Sequence, residues 1–76
     1  MNNKSKVSFV ICIDNTEYAA GLEPFKVYRQ LPDAKAQAMQ HIRVIDESGE
    51  DYVYPQDYFV SIHLPKRVED AMITQQ

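Results

Sequence analysis

His41-Ile-Arg-Val-Ile-Asp-Glu47, Ser48-Gly49 and Glu50-Asp-Tyr-Val-Tyr54 form the stretch whose reading decides the fold. Two strand-like runs, the first carrying Ile42, Val44 and Ile45 and the second Tyr52, Val53 and Tyr54, flank a Ser-Gly pair. Glycine supplies the positive φ that a tight hairpin turn needs, so the stretch reads as a β-hairpin over 41–47 and 50–54. Ile42 and Val44 fall on one face and Arg43 on the other. Downstream, Pro55-Gln-Asp57 reads as a turn, and Tyr58-Phe-Val-Ser-Ile-His-Leu64 as the last strand, with Tyr58, Val60, Ile62 and Leu64 facing inward. Pro65 ends it.

Upstream, Pro32 stops a strand expected over 25–31, with Phe25, Val27 and Leu31 inward and Lys26, Tyr28 and Gln30 outward. Asp33 is placed to cap a short helix over 34–40, because its carboxylate can accept from the free amides of the next turn. The run Ala34-Lys-Ala-Gln-Ala-Met-Gln40 has high helix propensity but is too short to stand alone. It must dock, and Ala38 and Met39 are the expected contacts. Residues 14–24, with Asp14-Asn15, Gly21 and Pro24, form a loop. Residues 6–14 read as a strand apolar on both faces: Val7, Phe9, Ile11 and Ile13 on one, Val10 and Cys12 on the other.

The expected organisation is a flexible N-terminus over 1–5, one mainly β unit over 6–65, and a helical tail over 66–76 with Val68, Ala71 and Met72 as its apolar stripe. The last residues, Thr74-Gln75-Gln76, should fray. Five short antiparallel strands bury one core by curling into a small five-stranded barrel.

Two resemblances bear on this. Tyr54-Pro55-Gln56-Asp57-Tyr58-Phe59-Val60 resembles the end of a Src-homology-3 (SH3) domain, where Pro-x-x-Tyr makes one tight turn before a short closing strand. Over nearly the whole chain, Cys12-Ile-Asp14-Asn15, Val27-Tyr28, Leu31-Pro32-Asp33 and Ile42 to Tyr52 with Tyr54-Pro55 resemble a group of short bacterial proteins. That resemblance implies a small SH3-like β-barrel and no particular chemistry. The sequence departs from SH3 domains in having no Trp and no aromatic-rich opening motif. It also has a helix in the middle connection.

With 76 residues, the chain holds at most one small domain. Chains of this size bury only about 60% of their unfolded surface. Its 45% hydrophobic and 25% charged residues are an ordinary globular balance, which argues against disorder. One Cys excludes an intrachain disulfide, and two His with it cannot make a four-ligand zinc site. The apolar run Val7 to Ile13 is shorter than a usual signal-peptide core and far too short to span a membrane. The expectation is therefore a cytoplasmic protein. Its net charge of -3, with no Lys or Arg between Val44 and Pro65, argues against phosphate backbones.

No catalytic set is found. Ser8, Ser48 and Ser61 lack any nucleophile motif, and Gly21 and Gly49 cannot build a phosphate loop. No cofactor or metal is implied. Asp46-Glu-Ser-Gly-Glu-Asp51 clusters four carboxylates of the kind that hold a hard cation, or that simply keep a turn solvated. Cys12, between Ile11 and Ile13, reads as an inert core thiol. His41 and His63 read as surface residues. The five tyrosines are many for this length and suit an interface, since the ring buries area while the hydroxyl stays wet. Tyr28 and one of Tyr52 and Tyr54 are candidates for an exposed patch.

The expected function is non-catalytic: a protein-binding or small regulatory module. Its contact surface is expected in the long loop and the post-hairpin turn, at Tyr18, Tyr54, Pro55 and Tyr58. The alternative expectation is a nucleic-acid- or ribosome-associated small barrel.

Overall fold

The computed structural model describes residues 8–74. The expected flexible N-terminus over 1–5, the strand positions Lys6 and Val7, and the fraying end Gln75-Gln76 lie outside them. The elements run β1 (Ser8–Cys12), β2 (Val27–Leu31), α1 (Ala34–Ala38), β3 (His41–Ile45), β4 (Asp51–Pro55), a 3-10 turn (Gln56–Tyr58), β5 (Phe59–Ile62) and α2 (Lys66–Thr74). The described strands form one five-stranded sheet in the order β4-β3-β2-β1-β5, and every pairing is antiparallel.

The hairpin forms as the alternation requires. Ile42 pairs with Tyr54 and Val44 with Tyr52; Gly49 takes φ +85 at the turn. Asp33 caps α1, its Oδ1 accepting from Ala36 N at 2.9 Å. It also receives Arg43 Nε at 2.8 Å, which ties the helix start to β3. The helix docks through buried Ala36, not through Ala38 and Met39; Met39 is 70% exposed. Gln40, at φ 63, turns the chain into β3.

The core lies on one face of the sheet. It comprises Val10 and Cys12 of β1, Tyr28 of β2, Ile42 and Val44 of β3, Tyr54 of β4 and Phe59 of β5, with Leu22 from the loop. Val10 faces Tyr28 across one pair and Cys12 faces Phe59 across the next. The rings of Tyr54 and Phe59, on the two outermost strands, lie 6.3 Å apart. The sheet therefore coils until its edges approach over the core. The expected closure into a barrel does not occur: among the described residues β4 and β5 share no backbone pairing. Side chains span that gap, so burial is achieved without a last row of hydrogen bonds.

Two strands present the opposite face from the one expected. In β2, Tyr28 is buried, while Phe25 is 75% exposed and Val27 and Leu31 are half-buried on the far side. Tyr28 can enter the core because its hydroxyl is satisfied there: it donates to Glu47 Oε2 and accepts from Glu23 N at 2.8 Å. In β5, Phe59 points inward and Val60 is 48% exposed. The 3-10 turn takes up Tyr58, so the strand begins one residue later than expected. A one-residue change exchanges the two faces.

The reverse face is partly covered, which explains why β1 is apolar on both sides. Phe9 is 2% exposed. It shares a depression with Ile62 and with Glu69, Asp70 and Ile73 of α2, and Ile73 also borders Val27 and Ile45. Of the α2 residues, Ile73 borders both depressions and is half-buried, whereas Val68 of the expected stripe is 41% exposed. Among the described residues, no helix is long and apolar enough to cross a membrane.

Candidate partner-binding surface

The loop between β1 and β2 is built from its own polar groups. Asp14 Oδ1 accepts from Thr16 N at 2.9 Å and from Thr16 Oγ1 at 2.6 Å, and these bonds hold its carboxyl below the ordinary value. Tyr18 N donates to Asn15 O, and Tyr18 O accepts from both Gly21 N and Leu22 N at 3.0 Å. Asn15 Nδ2 donates to Leu22 O at 3.0 Å. The turn so formed drops Leu22 into the core and leaves Tyr18 above it.

The loop is then clamped to the hairpin. Glu47 N donates to Gly21 O at 2.9 Å. A Cβ at Gly21 would collide with the Tyr54 hydroxyl and lie 3.1 Å from Asp46 Oδ2, so only glycine permits this approach. Beneath it, Tyr54 Oη donates to Asp46 Oδ2 at 2.5 Å, and Asp46 Oδ1 accepts from Ser48 N and Ser48 Oγ at 2.8 and 2.6 Å.

The expected site residues Tyr18, Tyr54 and Tyr58 meet here. The Tyr18 ring stands edge-on to Tyr54 at 5.1 Å and to Tyr58 at 5.7 Å. Tyr58 Oη donates to Thr16 O at 2.6 Å. Tyr18 is 39% exposed and Tyr54 only 6%; Tyr58 and Pro55 are half-buried. Tyr54 is thus a buried support, and the accessible rings are those of Tyr18 and Tyr58. Pro55 lies at the end of β4, where the 3-10 turn begins. Partial burial, then the charges of Glu17 and Asp14, push the Tyr58 phenol above its ordinary value. The surroundings of the cluster are therefore acidic.

The other candidates resolve differently. Tyr28 is in the core, so it joins no exposed patch; Tyr52 is 50% exposed. The acidic tip is occupied internally. Asp46 is buried, and Glu47 both receives Tyr28 and pairs with Lys26 Nζ at 2.8 Å. Asp51 pairs with Arg43 at 3.0 Å. Among the described residues no three His, Cys, Asp or Glu side chains are grouped to hold a metal ion. Cys12 is fully buried, and burial pushes its thiol above the ordinary value. Comparison with protein-family models, curated proteins and solved structures finds no match to this chain.

Sequence reasoning missed Phe25. Its N–H donates to Cys12 O at 2.6 Å while Cys12 N donates to Lys26 O at 3.0 Å. Two residues thus oppose one, a β-bulge whose first position is normally glycine. Phe25 occupies it at φ 65, with its ring in solvent. A left-handed non-glycine residue costs about 1–2 kcal/mol. Phe25→Gly is therefore expected to raise stability by about 0.5–1 kcal/mol, after the extra chain entropy of glycine is subtracted. Urea denaturation measures this, and a loss of stability would show that the ring packs.

Proposed function

We propose that this chain is a small non-catalytic binding module of SH3-like arrangement, which docks a segment of another protein on Tyr18 and Tyr58. One observation carries the reading: the Tyr18 ring is exposed yet held edge-on by two other rings. Ordering is largely complete before a partner arrives, and pre-organised aromatic anchors lose little entropy on binding. Asp14 and Glu17 beside the cluster favour a partner segment bearing Lys or Arg, which can also lie over a tyrosine face. The SH3-like part of the reading is supported by β5 lying next to β1 and by the single 3-10 turn at Gln56–Tyr58.

The test is affinity capture from lysate of the native host, with Tyr18→Ala as control bait. Tyr18→Ala is expected to reduce capture of one enriched protein by at least about tenfold, the cost of losing a modest hot spot. Its thermal midpoint should stay near that of the parent. Equal capture by both baits would remove this surface. Capture that nuclease abolishes would favour the nucleic-acid-associated reading despite the net charge.

A further inference from the structure

We propose that the free edge of β5 pairs antiparallel with β5 of a second copy of this chain, forming a twofold dimer centred on Ser61. The backbone sets the register. Ile13 N donates to Tyr58 O at 2.8 Å, and Ile11 is paired with Val60 and Phe9 with Ile62. By antiparallel alternation Tyr58, Val60 and Ile62 turn their amides and carbonyls toward β1. Ser61 and His63 turn theirs to the open edge, as Phe59 does its carbonyl; the Phe59 N–H is held by Gln56 O in the 3-10 turn. Val60, Ser61 and His63 are exposed, and among the described residues no strand pairs with β5 on that side.

The two edges of the sheet are treated differently. β4 begins at Asp51 and ends at Pro55, a charge and a proline of the kind that blunt an edge. From Tyr58 to Leu64 there is no Lys, Arg, Asp, Glu or Pro. The charges flank this run with opposite sign: Asp57 before it, Lys66 and Arg67 after it. An antiparallel twofold centred on Ser61 pairs position 57 with position 65, so the acidic end of each strand meets the end that Lys66 and Arg67 follow in the other, whereas parallel pairing sets like against like. Lys66 is shared with Asp70 of its own helix at 2.9 Å, which leaves Arg67 as the freer cation. An uncharged strand with oppositely charged ends is self-complementary, as an isologous interface requires. On the reverse face the pairing lays Val60, 48% exposed, against Ile62 of the second copy. It also extends the apolar surface that Ile13 begins diagonally to Val60.

The test uses the full chain in sedimentation equilibrium from about 1 μM to about 1 mM, a range that brackets weak strand-pairing affinities. A particle of twice the 8.8 kDa chain mass is expected at the upper end, dissociating on dilution. Ser61→Pro removes an outward amide without touching the β1 ladder, and Val60→Lys places a charge on the edge. Either is expected to weaken association by at least about tenfold, with the far-ultraviolet circular dichroism of the parent; the second keeps the test sound if the first fails to fold. Ser61→Cys supplies the register. At a hydrogen-bonded antiparallel pair the Cα atoms lie about 5.5 Å apart, within disulfide reach, so mild oxidation should yield a covalent dimer. Cys12 is fully buried and does not compete. A chain that stays monomeric throughout overturns the proposal. So does a dimer unchanged by both edge variants, or growth into larger assemblies, which would mean head-to-tail pairing of β4 with β5.

Discussion

Leu22→Ala is expected to be the most damaging single substitution in the described chain, although Leu22 lies in a loop. The side chain is 1% exposed and is among the largest that are fully buried. It is the one loop contribution to a core otherwise drawn from five strands. Buried Leu→Ala changes cost about 2–5 kcal/mol, because a cavity is added to the lost transfer energy. A chain of this length has about 4–11 kcal/mol in all at typical stability per residue. The substitution should therefore remove about half of the stability and lower the thermal midpoint by about 10–25 °C. It also removes the side-chain anchor of the turn that presents Tyr18, although the turn's own bonds, Leu22 N to Tyr18 O and Asn15 Nδ2 to Leu22 O, use backbone atoms that alanine keeps. Leu31→Ala is the matched control: it lies in a strand but is only half-buried, and should cost less than half as much. Thermal and urea denaturation of both variants measures this. The reverse ranking would place the core on the other face of the sheet.

That control also marks where the sequence was readable. The hairpin could be read because everything that sets it is local: Ile42 and Val44 alternate with Arg43, and Gly49 sits at the turn position that needs positive φ. The Asp33 cap is equally local. Tyr18, Tyr54 and Tyr58 could be grouped because a long loop and a turn of this type lie at one end of such a sheet. The faces of β2 and β5 were not readable. Each depends on a one-residue device, the bulge at Phe25 and the 3-10 turn ending at Tyr58, and alternation inverts across both. The role of the acidic tip was hidden for another reason. Asp46 and Glu47 look solvated until their tyrosine partners are known, and those lie 8 and 19 positions away. Periodicity carries no information at such separations. The open sheet follows from the same limit: five strands imply curling, but whether ladder or rings close the gap is settled by Tyr54 and Phe59 meeting in space.

Asp46 then makes a prediction in pH. Burial works to raise its carboxyl, but hydrogen bonds from Ser48 and Tyr54 outweigh it and hold the group below its ordinary value. A carboxylate depressed in the folded state stabilises above its unfolded value of about 3.9, and that contribution is lost as pH falls through the folded value. Glu47, lowered by Lys26 and then by Tyr28, acts in the same direction. Asp46→Ala leaves the Tyr54 hydroxyl and the Ser48 amide without their acceptor. Bonds to a charged group are worth about 1.5–3 kcal/mol each, and the tip can rearrange to let water reach Ser48, so the expected cost near pH 7 is about 2–4 kcal/mol. The same variant should show a shallower fall in stability below about pH 4, because one of the protons that drives the fall has no site. Tyr54→Phe should reproduce part of the loss, and the double variant should cost less than the two singles together, since both remove one bond. Tyr54 supplies the opposite arm: burial, then the Asp46 bond, raise its phenol above the ordinary value, so its contribution holds below about pH 10 and declines as pH rises further. Urea denaturation at a series of pH values separates these effects. Parallel pH curves for the parent and Asp46→Ala would mean that the carboxylate is not ionised in the fold, and the clamp between loop and hairpin would need another explanation.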